Sequence, residues 1–339
     1  MDKAVRNFKH KILGGRFVGF GVVIVVIAMR VLMFLDGEIS QNEFPDSGFV
    51  WKFLVPFFSE PKISFGASTL SIFIIAAIIS HLNQRFTLIR GRTILPFAIP
   101  LFLFSLHPYF LVMTPDFVAV FFLLLALFPL LNSYHQTEHQ LFAFQSAVLI
   151  GIAGVFQIYA LLLLPLWWWG ERMMRGFKFK SFVASLIGVG LVYWLVFALF
   201  VFWGRVEEFM VPFDFITRVS ITQFSEFSVT QWIFSGMLFA LLLTFIIMVN
   251  QKSSRDKVLT QIVLGFLGFV LICTILLQFF YWENTLFWLT FTLTLLSFLI
   301  TYYYSLVESK WQVYSFYFIF SVFILIYCVN YFSFMPTFL

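Results

Sequence analysis

The chain has 339 residues, of which 61% are hydrophobic and 11% charged, with a mean hydropathy of +0.97. Soluble domains carry about 25% charged residues, so a water-soluble fold is excluded and an all-α, polytopic membrane protein is expected. The net charge of +5 and pI near 9.2 do not point to nucleic acid, because the basic residues gather at the ends of apolar runs, where they set orientation.

Lys3, Arg6, Lys9, Lys11 and Arg16 precede an apolar run over 17–35. That run is long enough to span, and we read it as an uncleaved first span with the N-terminus cytoplasmic. Arg30 falls near its outer end, where a cation must snorkel or meet an anion; snorkelling is the expectation. The interval 36–63 then brings Asp36, Glu38, Glu43, Asp46 and Glu60 against Lys52 and Lys62. It reads either as a solvated loop or as a catalytic carboxylate held at the membrane surface. Its second half, FVWKFLVPFF over 49–58, is too short to span and too apolar for water, which predicts a short helix in the interface.

Further spans are expected over 64–80, 94–110 and 117–132. Arg85, Arg90 and Arg92 make the first connection cytoplasmic, and the turn VMTPD places Asp116 on the side of the acidic loop. The next apolar stretch would, as one span, put the basic segment ERMMRGFKFK outside. Read as two short segments, 143–155 and 158–169, meeting near Gln157 and Tyr159, it returns to the cytoplasm, and every later loop agrees with the charge rule. Such an interruption is tolerated where protein or a wet cavity surrounds it. Spans over 181–203, 229–249, 258–280, 285–303 and 312–332 complete a helical bundle of about 11 spans with an external C-terminus. The outer interval 204–229 carries Arg205, Glu207, Glu208, Asp214, Arg218 and Glu226 and predicts a second interfacial segment. We divide the chain into an N-terminal module, 1–203, and C-terminal helices, 204–339.

No Walker loop, dinucleotide glycine fingerprint, HExxH or paired CxxC occurs, so ATP-driven, redox and zinc mechanisms lack a sequence basis. Cys273 and Cys328 lie in apolar runs as small hydrophobes. His135 and His139 share i, i+4 spacing but read as a solvated pair, and His107, before Pro108, reads as a packing residue. Beyond Arg30 the spans carry almost no charge, which counts against an ion-coupled pump. The candidates for chemistry are Asp36, Asp46 and Asp116, with Arg30, Lys62, Arg205 and Arg218 as cations. A carboxylate in such a set can deprotonate or orient an acceptor while a cation stabilises a departing phosphate.

AMRVLMFLDG followed by FPDSGF, in which Phe49 stands three residues after Asp46, resembles the first outer loop of the GT-C class of membrane glycosyltransferases. TPDF, with Asp116, is similar to the second acid of that class, and LIGIAGVFQIYALLLLP is similar to the short hairpin that follows. The resemblance covers roughly residues 1–200. It departs from the class where Ser47 follows Asp46 and where Gln157 stands at the hairpin position that many members give to lysine. The chain also resembles a group of Bacteroidetes multi-spanning inner-membrane proteins of similar length. What the GT-C resemblance implies is glycosyl transfer from a polyprenyl-phosphate-linked sugar at the external face of a bacterial inner membrane. Asp46 or Asp36 would be the acid/base group, Asp116 would orient acceptor or metal, and Arg30 or Arg205 would hold the lipid phosphate. No cofactor is required, although hard oxygen ligands would suit a divalent cation. The residues alone also admit a non-enzymatic subunit that scaffolds an envelope-assembly or secretion complex through membrane protein partners, or a lipid or solute transporter.

Overall fold

Long apolar runs interrupted by proline, glycine and charge form helices here, because a backbone within lipid must satisfy its hydrogen bonds internally. The computed structural model describes residues 3–15, 17–36, 48–89, 91, 93–134, 136, 139–220 and 229–334. Among them are fourteen α-helices and no strand. They are α1 (Lys3–Phe8), α2 (Val18–Asp36), α3 (Trp51–Phe58), α4 (Pro61–Phe86), α5 (Leu95–Leu103), α6 (Pro115–Asn132) and α7 (His139–Phe156). After these come α8 (Leu164–Arg175), α9 (Phe179–Phe202), α10 (Val206–Thr217), α11 (Val229–Ser253), α12 (Val258–Phe280), α13 (Thr285–Ser305) and α14 (Lys310–Phe334).

Among the described residues, seven helices are long and apolar enough to cross a membrane: α2, α4, α6, α9, α12, α13 with its leading turn, and α14. The run over 94–110, expected to span, is α-helical only over Leu95–Leu103, with a separate 3-10 turn over Pro108–Leu111. Pro100 removes a backbone donor, and His107 is extended before Pro108, as the residue preceding a proline prefers. Nine residues rise only about 14 Å, half of a bilayer core. The expected interruption near Gln157 is present: α7 stops at Phe156, Gln157 is extended, and a tight turn over Ile158–Leu163 leads into α8.

Two compact units arise, each assembled from separated stretches of chain. One comprises Met1–Asn42, Phe57–Met113 and Leu293–Leu339; the other comprises Glu43–Pro56 and Thr114–Thr292. In the first, α14 clasps the start of the unit. Tyr327 donates to Met29 O at 2.9 Å, Asn330 donates to Leu106 O at 2.8 Å, and Phe8 meets Phe316 edge-on at 5.0 Å.

In the second unit, α7 packs along both α6 and α9. Ala143, Ala147 and Gly151 recur at every fourth position of α7, the small-residue spacing that lets helix backbones approach. A Cβ on Gly151 would stand 3.2 Å from Val192, and one on Gly188 of α9 would stand 2.9 Å from Phe144 O. Ser146 donates to Ala126 O at 3.2 Å, so a side chain also ties α7 to α6. This packing fixes the end of α7, where the candidate site begins.

Candidate functional site

The sequence motif FPDSGF enters the structure at Gly48. The Phe49 amide donates to Val155 O at 2.8 Å, docking the chain on the last turn of α7. A Cβ on Gly48 would meet Phe156 O at 2.1 Å, so only glycine permits this approach. Phe49 is buried among Tyr193, Phe200, Phe209 and Phe213, with ring centroids 5.3–6.3 Å apart. The aromatic residue of the motif is therefore a packing anchor that joins the segment before α3 to α9 and α10. Asp46 itself lies outside the described residues.

One residue beyond this dock, Gln157 Nε2 donates to Asp116 Oδ1 at 2.7 Å and lies 3.5 Å from Asn284 Oδ1. Asp116 follows Pro115 in the first turn of α6, where a fixed φ starts the helix and free amide groups favour an anion. It is 3% exposed, and no basic side chain pairs with it among the described residues. Gln157 is 2% exposed and its Oε1 has no hydrogen-bond partner. The Tyr159 hydroxyl donates to Phe215 O at 3.1 Å and reaches Asn284, while its ring packs edge-on against Tyr281 and Trp288. Trp288 Nε1 is likewise buried without an acceptor. Three residues far apart in the chain, Asp116, Gln157 and Asn284, thus form one polar cluster inside the second unit. Of these, Asn284 was missed in the sequence, because nothing in a lone asparagine after Glu283 marks it as a partner of residues in the earlier helices.

Beside the same anchor, Lys52 of α3 pairs with Glu208 of α10 and rests against the rings of Phe53 and Phe200 at 5.5 and 5.4 Å. The hydrogen bond from Lys52 holds the Glu208 carboxyl below the usual carboxylate range. Arg205 precedes α10, half exposed, with its Nε 3.5 Å from Glu208 Oε1. The two segments expected to lie in the interface are therefore short helices tied to each other. Arg218 lies over the Phe215 ring at 6.0 Å.

The other candidates belong to the first unit. Arg30 does not snorkel: it is 1% exposed and wholly engaged by protein. It donates to Thr69 Oγ1 at 3.1 Å, Ser68 Oγ at 2.9 Å, Phe110 O at 2.9 Å and Phe104 O at 3.4 Å, and it lies over the Phe65 ring at 5.6 Å. The reason is the shortness of α5, which leaves carbonyls at its end and in the following turn for the guanidinium to meet. Asp36 is exposed at the end of α2 and accepts a hydrogen bond from the Tyr331 hydroxyl. His107 accepts from the Tyr109 amide through Nδ1 at 3.3 Å, and burial pushes its imidazole down to about 4. Asp36 and Arg30 thus fall in one unit, Asp116 and Arg205 in the other.

His135 lies outside the described residues, and no group of three or more His, Cys, Asp or Glu suited to a metal occurs among those described. On the cytoplasmic side expected from the charge pattern, Arg175 Nη2 approaches Glu171 Oε2 at 3.1 Å without hydrogen-bond alignment. Burial raises the Glu171 carboxyl, and Arg175 opposes that rise. Comparison of the chain with protein-family models, with curated proteins and with solved structures gives no match.

Proposed function

We propose that this chain is a GT-C-like glycosyltransferase that takes a sugar from a polyprenyl-phosphate carrier at the external face of a bacterial inner membrane, with its N-terminus cytoplasmic and its C-terminus periplasmic. The observation that carries this reading is the docking of Gly48 and Phe49 on Val155 and Phe156, beside the residue that holds Asp116. The end of the first-loop motif and the second acid are thereby linked within one unit, although 67 positions separate Phe49 from Asp116 in the chain.

In this reading Asp46, two residues before Gly48, accepts the proton of an acceptor hydroxyl as the acceptor oxygen attacks the sugar C1. The bond from C1 to the phosphate oxygen breaks, and polyprenyl phosphate leaves as an anion beside Arg205 and Lys52. Asp116 acts through Gln157 and the end of α7, as a positioning residue. Asp36, engaged by Tyr331, is the weaker rival.

The test is turnover of a polyprenyl-phosphate-linked sugar by purified protein in lipid nanodiscs. Asp46→Asn should lose on the order of a hundredfold or more, as removal of a general base does, while Asp36→Asn should keep near-native turnover. Wild-type turnover with Asp46→Asn, in a protein that melts normally, sinks the reading. A non-enzymatic scaffold subunit is the second reading, favoured by the exposed rings at the start of α2 and along α14, Phe20, Trp311, Tyr314 and Phe318 among them. It requires that changes on those faces release a stable, identified partner while the loop acids are dispensable.

A further inference from the structure

Asp116 lies in the first turn of a helix long enough to span a membrane, and no basic side chain pairs with it among the described residues. Its hydrogen bonds come from neutral donors, the Gln157 amide and the Thr114 hydroxyl, which leave a buried carboxylate costly unless a cation also meets its charge. Its surroundings are rich in oxygen. The Gln157 amide nitrogen sits 2.7 Å from Asp116 Oδ1 and 3.5 Å from Asn284 Oδ1, between a carboxylate and an amide oxygen. The other end of the same amide, Oε1, is buried without a partner. An amide nitrogen held between two oxygens marks a point of negative potential; a half-turn of the Gln157 amide, which gives up its hydrogen bond to Asp116, would set three oxygens face to face around a cation that offsets their repulsion. The setting is also an interrupted helical pass, where irregular backbone inside a membrane commonly surrounds bound ions.

We propose that Asp116, Gln157 and Asn284 form a binding site for a monovalent alkali cation, with one carboxylate oxygen and two amide oxygens as ligands. The charge count selects the valence. One carboxylate and two neutral amides balance a single positive charge, whereas a divalent ion would leave a net charge buried within the span. Bound cation would fix the end of α7 and with it the dock of Gly48 and Phe49. The site goes beyond the transferase reading and needs no sugar donor, so its failure and the failure of that reading are separate results.

The experiment uses the full chain in detergent at pH 7.5, with sodium, potassium or N-methylglucamine chloride at equal ionic strength. Radioactive sodium retention and thermal unfolding are the readouts. We expect saturable retention of one ion per chain and a melting temperature several degrees higher in an alkali salt than in N-methylglucamine. Asp116→Asn should abolish retention and melt alike in all three salts, with no loss relative to ion-free wild type because the buried charge is gone. Asn284→Leu, which keeps the charge and removes one ligand, should weaken retention by on the order of tenfold. Equal melting of the wild type in all three salts without retained sodium overturns the site. So does stabilisation by acid alone, which would make a proton the neutralising species. Retention that persists in Asp116→Asn also overturns it, and because retention is read on the wild type, a poorly folding variant does not leave the question open.

Discussion

Arg30 shows how a residue type can be read correctly for its cost and wrongly for its remedy. A guanidinium in an apolar span has to find oxygen, and here it finds two hydroxyls of α4, one carbonyl at the end of α5 and one in the turn that follows. Arg30→Gln should destabilise by about 3 kcal/mol, since several buried acceptors lose their donor together, and Arg30→Lys should rescue little, because an ammonium cannot fan across four acceptors. Thermal unfolding in detergent measures both; an Arg30→Gln protein as stable as wild type would show that the guanidinium is not a structural tie. His107 offers a test by pH. Its folded value, near 4, lies below the ordinary 6.5, so the unfolded chain binds the extra proton first. The stability contributed is complete above about pH 6.5 and is lost as pH falls toward 4, by up to roughly 3 kcal/mol. His107→Gln should flatten that part of the profile. Of these residues the sequence revealed Asp116, through TPDF, but not its partners: Gln157 is 41 positions away, and Asn284 a further 127. Pairings across such separations are set by packing, and no local spacing records them.

At the scale of elements, the interruption near Gln157 was legible because an unbroken span there would have set every later loop against the charge rule. The shortness of α5 was not, because composition alone reads 94–110 as apolar, and the end of the helix is decided by prolines and by the carbonyls that Arg30 needs. The dock of the first loop is also an element-scale property. Gly48→Ala would place a methyl group against the backbone of Phe156, which cannot yield as a side chain tip would. We expect a loss of about 2 kcal/mol and faster amide exchange through Phe49 and α3. Unchanged exchange at Phe49 would show that this dock is not what holds α3 in place.

For the whole molecule, the two units interleave along the chain, and α13 gives Thr285–Thr292 to one and Leu293–Ser305 to the other. Among the seven candidate spans of the described residues, α13 is the least apolar and the most deeply enclosed. Its buried Thr290, Ser297 and Thr301 bond to backbone, and Thr292 meets Thr274 of α12. Such a helix gains little from lipid and much from protein, which carries a consequence for the order of biosynthesis. The unit that contains Arg30 cannot close until Leu293–Leu339 has emerged from the ribosome, so its first helices must wait in the bilayer while the other unit assembles behind them. The polar side chains around Arg30, among them Ser68 and Thr69, would be protected from lipid only by one another during that interval.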